Sequence, residues 1–317
     1  MVGRVTGRPV AIVGSGAIGV AFAVLFARAG RTAEVFDIDD AALDRGRADV
    51  EARLRLLADA GLLAEDPAVV AARIGWHTDA AAAAHDAELV QECAPERADL
   101  KREVLARFAA VAPADAVLAS STSAIQPSVL AEGLAPEVAA RLVVGHPGNP
   151  PYLLPVIEVV PSPVTASPTV DRAAGIYRSV GLRPVVLRRE IEGFVFNRLQ
   201  GALLREAYCL VRDGIVDAAD VDEVVRSGLG RRWSIIGPFE TSDLNVRGGI
   251  AAHAERMGES YARMGAERGQ HDPWTPELVA RVAAERRAAL PLEDWDARVR
   301  WRDARLMALT PLWDSAD

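Results

Sequence analysis

At 317 residues, half of them hydrophobic and a quarter charged, the chain is long enough for two domains and a well-buried core. A net charge of −8 and a pI near 5.3 argue against nucleic acid or an anionic membrane as the main partner. Two distant cysteines, Cys93 and Cys209, give neither a disulfide framework nor a zinc site.

The N-terminal residues run straight into a strand with no long apolar stretch of a signal peptide, and no run of about 18 apolar residues suggests a membrane span. The expected location is the cytoplasm. PVAIVGSGAIG (9–19) is a short apolar run that breaks into glycines, AFAVLFARAG (21–30) reads as a helix closed by Gly30, and AEVFDID (33–39) as a second strand. Strand, glycine turn, helix, strand is a βαβ unit, and strands that are continuous apolar runs suit a parallel sheet. Residues 41–75 read as helical, with Leu54, Leu57, Leu62 and Leu63 as an apolar stripe. AELVQECA (87–94), DAVLASSTS (115–123), RLVVGHP (141–147), PVIEVVP (155–161) and LRPVVLRR (182–189) read as further strands between helical stretches. From Val195 apolar residues recur at helical spacing (Leu199, Leu203, Ala207, Leu210), and no strand pattern follows. The chain therefore reads as a doubly wound α/β domain followed by a mostly helical one, with the boundary near residue 190.

Gly14, Gly16 and Gly19 form GxGxxG after a strand and at the start of a helix, and Asp37 ends the next strand 18 residues beyond Gly19. Together these make the dinucleotide fingerprint: a tight turn, close backbone approach to a pyrophosphate, close helix–strand packing, and an acidic partner for the ribose hydroxyls. The phosphates would sit on the N-terminus of the helix, at Gly16, Ala17 and Ile18. A 2′-phosphate would meet Asp37, Asp39 and Asp40 with no adjacent arginine, so the cofactor reads as NAD rather than NADP.

A second oddity is Glu158, a carboxylate inside the apolar run VIEVV. Burying it costs several kcal/mol, roughly, unless something compensates it. His146, twelve residues upstream at the end of RLVVGHP, is the candidate partner. Oxidising a secondary alcohol requires a base that accepts the hydroxyl proton near neutrality, which histidine does when a carboxylate fixes its other nitrogen.

VGSGAIG, VFDID, QECAPE, SSTS, HPGNPPYLLPVIEVVP, EGFVFNRLQ, GLGRRWSIIGPFET and the late WRD at 301–303 resemble the L-3-hydroxyacyl-CoA dehydrogenase superfamily over nearly the whole chain. The nearest likeness is to its L-gulonate 3-dehydrogenase (lambda-crystallin) branch. The resemblance implies an NAD-binding Rossmann-type doubly wound sheet over residues 1–190 and an all-helical domain over 191–317, which in the family dimerises. It implies His146 as catalytic base and Glu158 as its partner. Asn149 and Asn197 would line the reacting centre, and Ser123 would reach the substrate hydroxyl. Glu96 and Lys101, the only lysine of the chain, fall at the spacing of cofactor contacts. Two departures are small: SSSTS of the family is ASSTS here, and Gly148 stands where a VNPP pattern has valine.

Arg231 and Arg232 before SIIGPFE replace a segment typical of acyl-CoA members and suit a free carboxylate. The expected activity is thus NAD-dependent oxidation of the 3-hydroxyl of an L-3-hydroxy acid such as L-gulonate. Arg47, Arg53 and Arg55 keep an acyl-CoA substrate as the alternative, and a non-catalytic NAD-binding structural protein is the second alternative. Trp274, Trp295, Trp301 and Trp313 are candidates for a dimer contact or for core packing.

Overall fold

A computed structural model describes residues 7–270, 275–298 and 301. Trp274, Trp313 and the last two residues of the WRD motif lie outside the described residues. The chain divides into two compact units, with the division between Leu203 and Leu204.

In the first unit β1 (Val10–Val13), α1 (Ala17–Arg28) and β2 (Ala33–Phe36) form the expected βαβ start. There follow α2 (Asp40–Asp59), α3 (Pro67–Ala71), β3 (Ile74–His77), α4 (Ala80–Ala84), β4 (Leu89–Glu92), α5 (Ala98–Val111) and β5 (Val117–Ser120). The remainder comprises α6 (Pro127–Ala131), α7 (Pro136–Ala139), β6 (Leu142–Pro147), β7 (Val156–Pro161), α8 (Ser167–Ser179) and β8 (Arg183–Val186). The eight strands make one sheet in the order β3-β2-β1-β4-β5-β6-β7-β8. Every pairing is parallel except β6 with β7, which is antiparallel.

Alternation along β1 shows why the strands are apolar throughout. Val10 and Ile12 enter a core with Phe22 and Phe26 of α1, whereas Ala11 and Val13 enter another with Leu105 and Phe108 of α5. Both faces of the sheet are covered, so neither set of side chains meets water. Helix α1 is accordingly buried without a break from Gly19 to Ala27.

Residues 41–75 are not one helix. Asp66 caps α3 by accepting from the Ala68 amide, with Pro67 at the first helical position, and Ile74–His77 pairs in parallel with β2 as the sheet edge. A four-residue strand containing glycine (IGWH) carries too little alternation to stand out beside an apolar helical stripe.

Helix α9 (Phe196–Arg212) crosses from the first unit into the second. The second unit holds α10 (Ala218–Glu223), a π-helical segment (Val224–Gly230), α11 (Arg231–Trp233), α12 (Pro238–Asn245), α13 (Gly249–Glu267) and α14 (Pro276–Ala289). Among its described residues there is no strand. No helix among the described residues is long and apolar enough to cross a membrane.

Candidate active site

The glycine turn lies between β1 and β4, where the strand order reverses and an open α/β sheet leaves a crevice at its carboxyl edge. Gly14 has φ +107°, and a β-carbon there would stand 2.9 Å from the Cys93 carbonyl oxygen. At Gly19 a β-carbon would lie 1.8 Å from the Gly14 carbonyl oxygen, so only glycine lets α1 pack on the turn. Gly16 faces open space, and as N-cap of α1 it leaves the amides of the first turn, which begins Ala17–Ile18, without a side-chain cap. A cavity of about 770 Å³ adjoins, lined by the turn together with Asp37, Ile38, Arg45, Asp49 and Pro95. Open amides, a helix N-terminus and a cavity fit a dinucleotide pyrophosphate.

Asp37 follows β2 at the rim of this cavity. Its Oδ2 accepts from the Ser15 amide (2.9 Å) and hydroxyl (2.7 Å), which locks the glycine turn, and its Oδ1 accepts from the Ile38 amide (2.8 Å). The Ser15 link is a part of the site that sequence reading missed. The expectation of no adjacent arginine is corrected. Arg45 lines the same cavity, because α2 starts at Asp40 and five residues of helix bring position 45 round to it. Its Nη2 lies 3.8 Å from Asp39 Oδ2.

The second cluster answers the Glu158 question. His146 and Glu158 stand directly opposite each other in the β6–β7 ladder, so their side chains share one face. His146 Nδ1 lies 2.8 Å from Glu158 Oε2, and the residues are 6% and 2% exposed. Glu158 Oε1 accepts from the amides of Val195 (2.7 Å) and Phe196 (3.0 Å), at the start of α9, where helix geometry leaves N–H groups unpaired. Gly193 (φ +74°) and Phe194 (φ +48°) turn the chain into that position. A left-handed phenylalanine costs roughly 1–2 kcal/mol. Full burial of its ring, 5.5 Å from the His146 ring, holds it there. The Phe196 ring meets His146 edge-on at 6.0 Å.

Asn197, one residue into α9, donates from Nδ2 to the Ser123 carbonyl (2.8 Å). Ser123 is exposed in the turn after β5, and Asn149 is exposed after β6. The first unit thus joins His146 to Glu158, Glu158 to α9, and Asn197 to Ser123.

Glu96 accepts from the Thr122 hydroxyl and from the amides of Ser123 (3.0 Å) and Ala124 (3.2 Å). Partial burial works against its charge, but the Thr122 hydroxyl and the Lys101 ammonium outweigh it and hold the carboxyl below its ordinary range. Lys101 is only 1% exposed and donates to both oxygens of Glu92 (3.0 and 3.1 Å) and to the Ala94 carbonyl (2.9 Å). Glu92, fully buried at the end of β4, also accepts from Ser120 and the Ala94 amide. Burial pushes its carboxyl up, with Lys101 in opposition. Glu92 and Thr122 escaped sequence reading, although a glutamate at the end of LVQE is the same anomaly as the one in VIEVV.

Arg231 and Arg232 belong to the second unit, on α11. Arg232 lines a cavity of about 520 Å³ there with Trp233, Phe239 and Tyr261, its Nη1 3.4 Å from Asn245 Oδ1.

Comparison with known proteins gives a consistent result. The family model for the NAD binding domain of 3-hydroxyacyl-CoA dehydrogenase matches residues 9–191, and that for its C-terminal domain matches residues 193–289. The chain is 38% identical over 310 residues to the lambda-crystallin homolog of Bos taurus, covering 96% of this chain and 95% of that one. It is 42% identical over 205 residues to an L-carnitine dehydrogenase of Pseudomonas sp, covering 63% of this chain and 60% of that one. The solved structure of the NAD+-dependent dismutase 5-formyl-3-hydroxy-2-methylpyridine 4-carboxylic acid 5-dehydrogenase superposes with a TM-score of 0.73 at 28% identity, covering 94% and 99% of the two chains.

Proposed function

Because the chain belongs to the 3-hydroxyacyl-CoA dehydrogenase family, an NAD-dependent oxidoreductase family acting on CH–OH groups, we propose that it oxidises the 3-hydroxyl of an L-3-hydroxy acid of the L-gulonate type to the 3-keto acid. The observation that carries this reading is the buried His146–Glu158 pair, whose second carboxylate oxygen is held by two backbone amides.

The glycine turn would hold NAD, which when bound would accept the hydride that leaves the carbinol carbon. The chain's own residues handle the proton. Glu158 accepts from His146 Nδ1–H, which fixes the tautomer and leaves Nε2 to take the hydroxyl proton. The imidazolium then formed is stabilised by the same carboxylate. Phe194 and Phe196 flank the imidazole and keep water from competing for the proton. Asn197 and Ser123 position the reacting oxygen, and Asn149, exposed after β6, is a further candidate for that role. Gly14, Gly16, Ala17, Ile18, Gly19 and Asp37 hold the dinucleotide. The sequence position of Arg231 and Arg232 before SIIGPFE makes them the candidates for the substrate carboxylate, for which a planar guanidinium is a bidentate partner.

An acyl-CoA thioester is the second reading. The Arg53 guanidinium lies 5.9 Å from the Tyr152 ring, so a cation lies beside the segment that follows His146. Self-association through α9 and the helical domain it opens belongs to the proposal as well. Helix α9 buries none of its residues, and Leu199, Leu203 and Val211 are exposed along it.

The test is NADH formation from NAD with L-gulonate, L-3-hydroxybutyrate, L-carnitine and L-3-hydroxybutyryl-CoA. Turnover of a free acid upholds the first reading. Turnover of the thioester alone replaces it with the second. NADH binding without any turnover removes both substrate readings and leaves the choice of substrate as the open problem.

A further inference from the structure

Lys101 raises a question about its role. An ammonium has three N–H donors, and here Glu92 and the Ala94 carbonyl engage them, with Glu96 Oε2 a further 3.4 Å from Nζ. The group is turned into the protein, between β4 and α5. Packing those two elements does not require charge, since an apolar pair of similar volume would serve. What the charges do is fix two carboxylates that both bond to the carboxyl edge of β5. Glu92 takes the Ser120 hydroxyl, and Glu96 takes the Thr122 hydroxyl and the amides of Ser123 and Ala124. Thr122 Oγ1 accepts in turn from the Ile125 amide (2.9 Å). The turn thus held presents the Ser123 carbonyl to which Asn197 donates.

We propose that Glu92, Lys101, Glu96 and Thr122 form a positioning relay that fixes the Thr122–Ala124 turn, and with it Ser123 and the anchor of Asn197. The role of the relay in turnover rests on the hydroxy-acid reading above. Its role in holding the turn stands on the geometry alone. The relay acts on the chemical step through other residues. Loosening the turn displaces the groups that orient the reacting oxygen and leaves the glycine turn on β1 as it was.

The experiment combines three readouts on the full chain: hydrogen exchange at the Ser123 and Ala124 amides, NADH affinity by fluorescence titration, and the split of kcat from KM. Thr122→Val removes one donor from Glu96 at small steric change. The double variant Glu92→Gln with Lys101→Met removes both buried charges at once, so neither is left unpaired. Thr122→Ser is the rescue.

Both disruptive variants should accelerate exchange at the two amides by about tenfold or more and lower kcat by a similar factor. NADH affinity should stay within about threefold of wild type in Thr122→Val, whereas the double variant, which changes Lys101 itself, is judged on exchange. Thr122→Ser should restore exchange and kcat together. Unchanged exchange overturns the relay whether or not a substrate is in hand. Loss of NADH affinity in proportion to kcat, with exchange unchanged, also overturns it and makes Lys101 a cofactor contact. A wild-type chain that turns over nothing, with exchange accelerated in the variants, overturns the enzymatic reading and upholds the relay.

Discussion

Glu158 is bonded to His146 through Oε2 while its Oε1 closes the open end of the helix that carries Asn197. One carboxylate therefore sets the azimuth of the imidazole and the height of α9. Its cost of burial is met by a cation-capable ring and two amide dipoles rather than by an arginine.

Exchanging that carboxylate for an amide is informative. In Glu158→Gln the carboxamide oxygen still accepts from Val195 and Phe196, but the NH2 group faces His146 Nδ1. The ring then becomes an acceptor at Nδ1 and carries its proton on Nε2, the wrong tautomer for a base. We expect kcat to fall by about 10²–10⁴ with NADH affinity unchanged, as in His146→Ala. Steady-state rates with any accepted substrate and a fluorescence titration check this. A fall of less than about tenfold would remove Nε2 as the base.

Gly19→Ala places a methyl group where the Gly14 carbonyl oxygen already sits. The turn must open or α1 must move, so NADH binding should be lost and Tm should drop. Gly16→Ala meets nothing in the protein and should leave Tm within a degree or so while weakening NADH, since its β-carbon projects into open space beside the first-turn amides. Equal effects of the two on Tm would contradict this assignment of roles.

Acid should expose Glu96. Its carboxyl lies below the ordinary value of 4.5 in the folded chain, so its contribution to stability is present above that value and is lost as pH falls through the folded one. The stability gap between wild type and Glu96→Gln should be widest above pH 4.5 and narrow below it. Urea denaturation at pH 6 and below pH 4 measures the gap, and a constant gap would rule out ionised Glu96 as its source.

Burial pushes the Cys93 thiol up to about 12. With Cys209 replaced by serine, an aromatic disulfide reagent at pH 8 should therefore find Cys93 almost unreactive in the folded chain and fully reactive in urea. Fast reaction in the native protein would show that the turn between β4 and α5 opens far more often than its hydrogen bonds imply.

If α9 is an association surface, Leu199→Arg should shift the sedimentation coefficient to that of a 33.8 kDa monomer without lowering Tm by more than a few degrees. An unchanged sedimentation coefficient would place any self-association elsewhere.

Much of this site is legible in the sequence because it breaks local rules. Gly14, Gly16 and Gly19 interrupt an apolar run, and Glu158 interrupts another, and each anomaly has a chemical reading. Other parts left no such mark. The amides of Val195 and Phe196 are backbone groups with no side-chain signature, Ser15 is simply the variable residue of a glycine turn, and Arg45 reaches the dinucleotide cavity only through the winding of α2. β3 was hidden because IGWH is short and follows a helical stripe. Glu92 carries the same anomaly as Glu158, a carboxylate ending an apolar strand, but QECAPE holds a second glutamate, Glu96, and the spacing to Lys101 alone does not tell the two apart.

Lys101 is the one lysine of the chain and is 1% exposed, so acylating reagents that seek ε-amines have none to reach while α5 stays docked on β4. The single ε-amine becomes a built-in clock. The rate at which an activated ester modifies Lys101 in native buffer reports how often that helix lifts away, with no residue introduced and no second lysine to confuse the count.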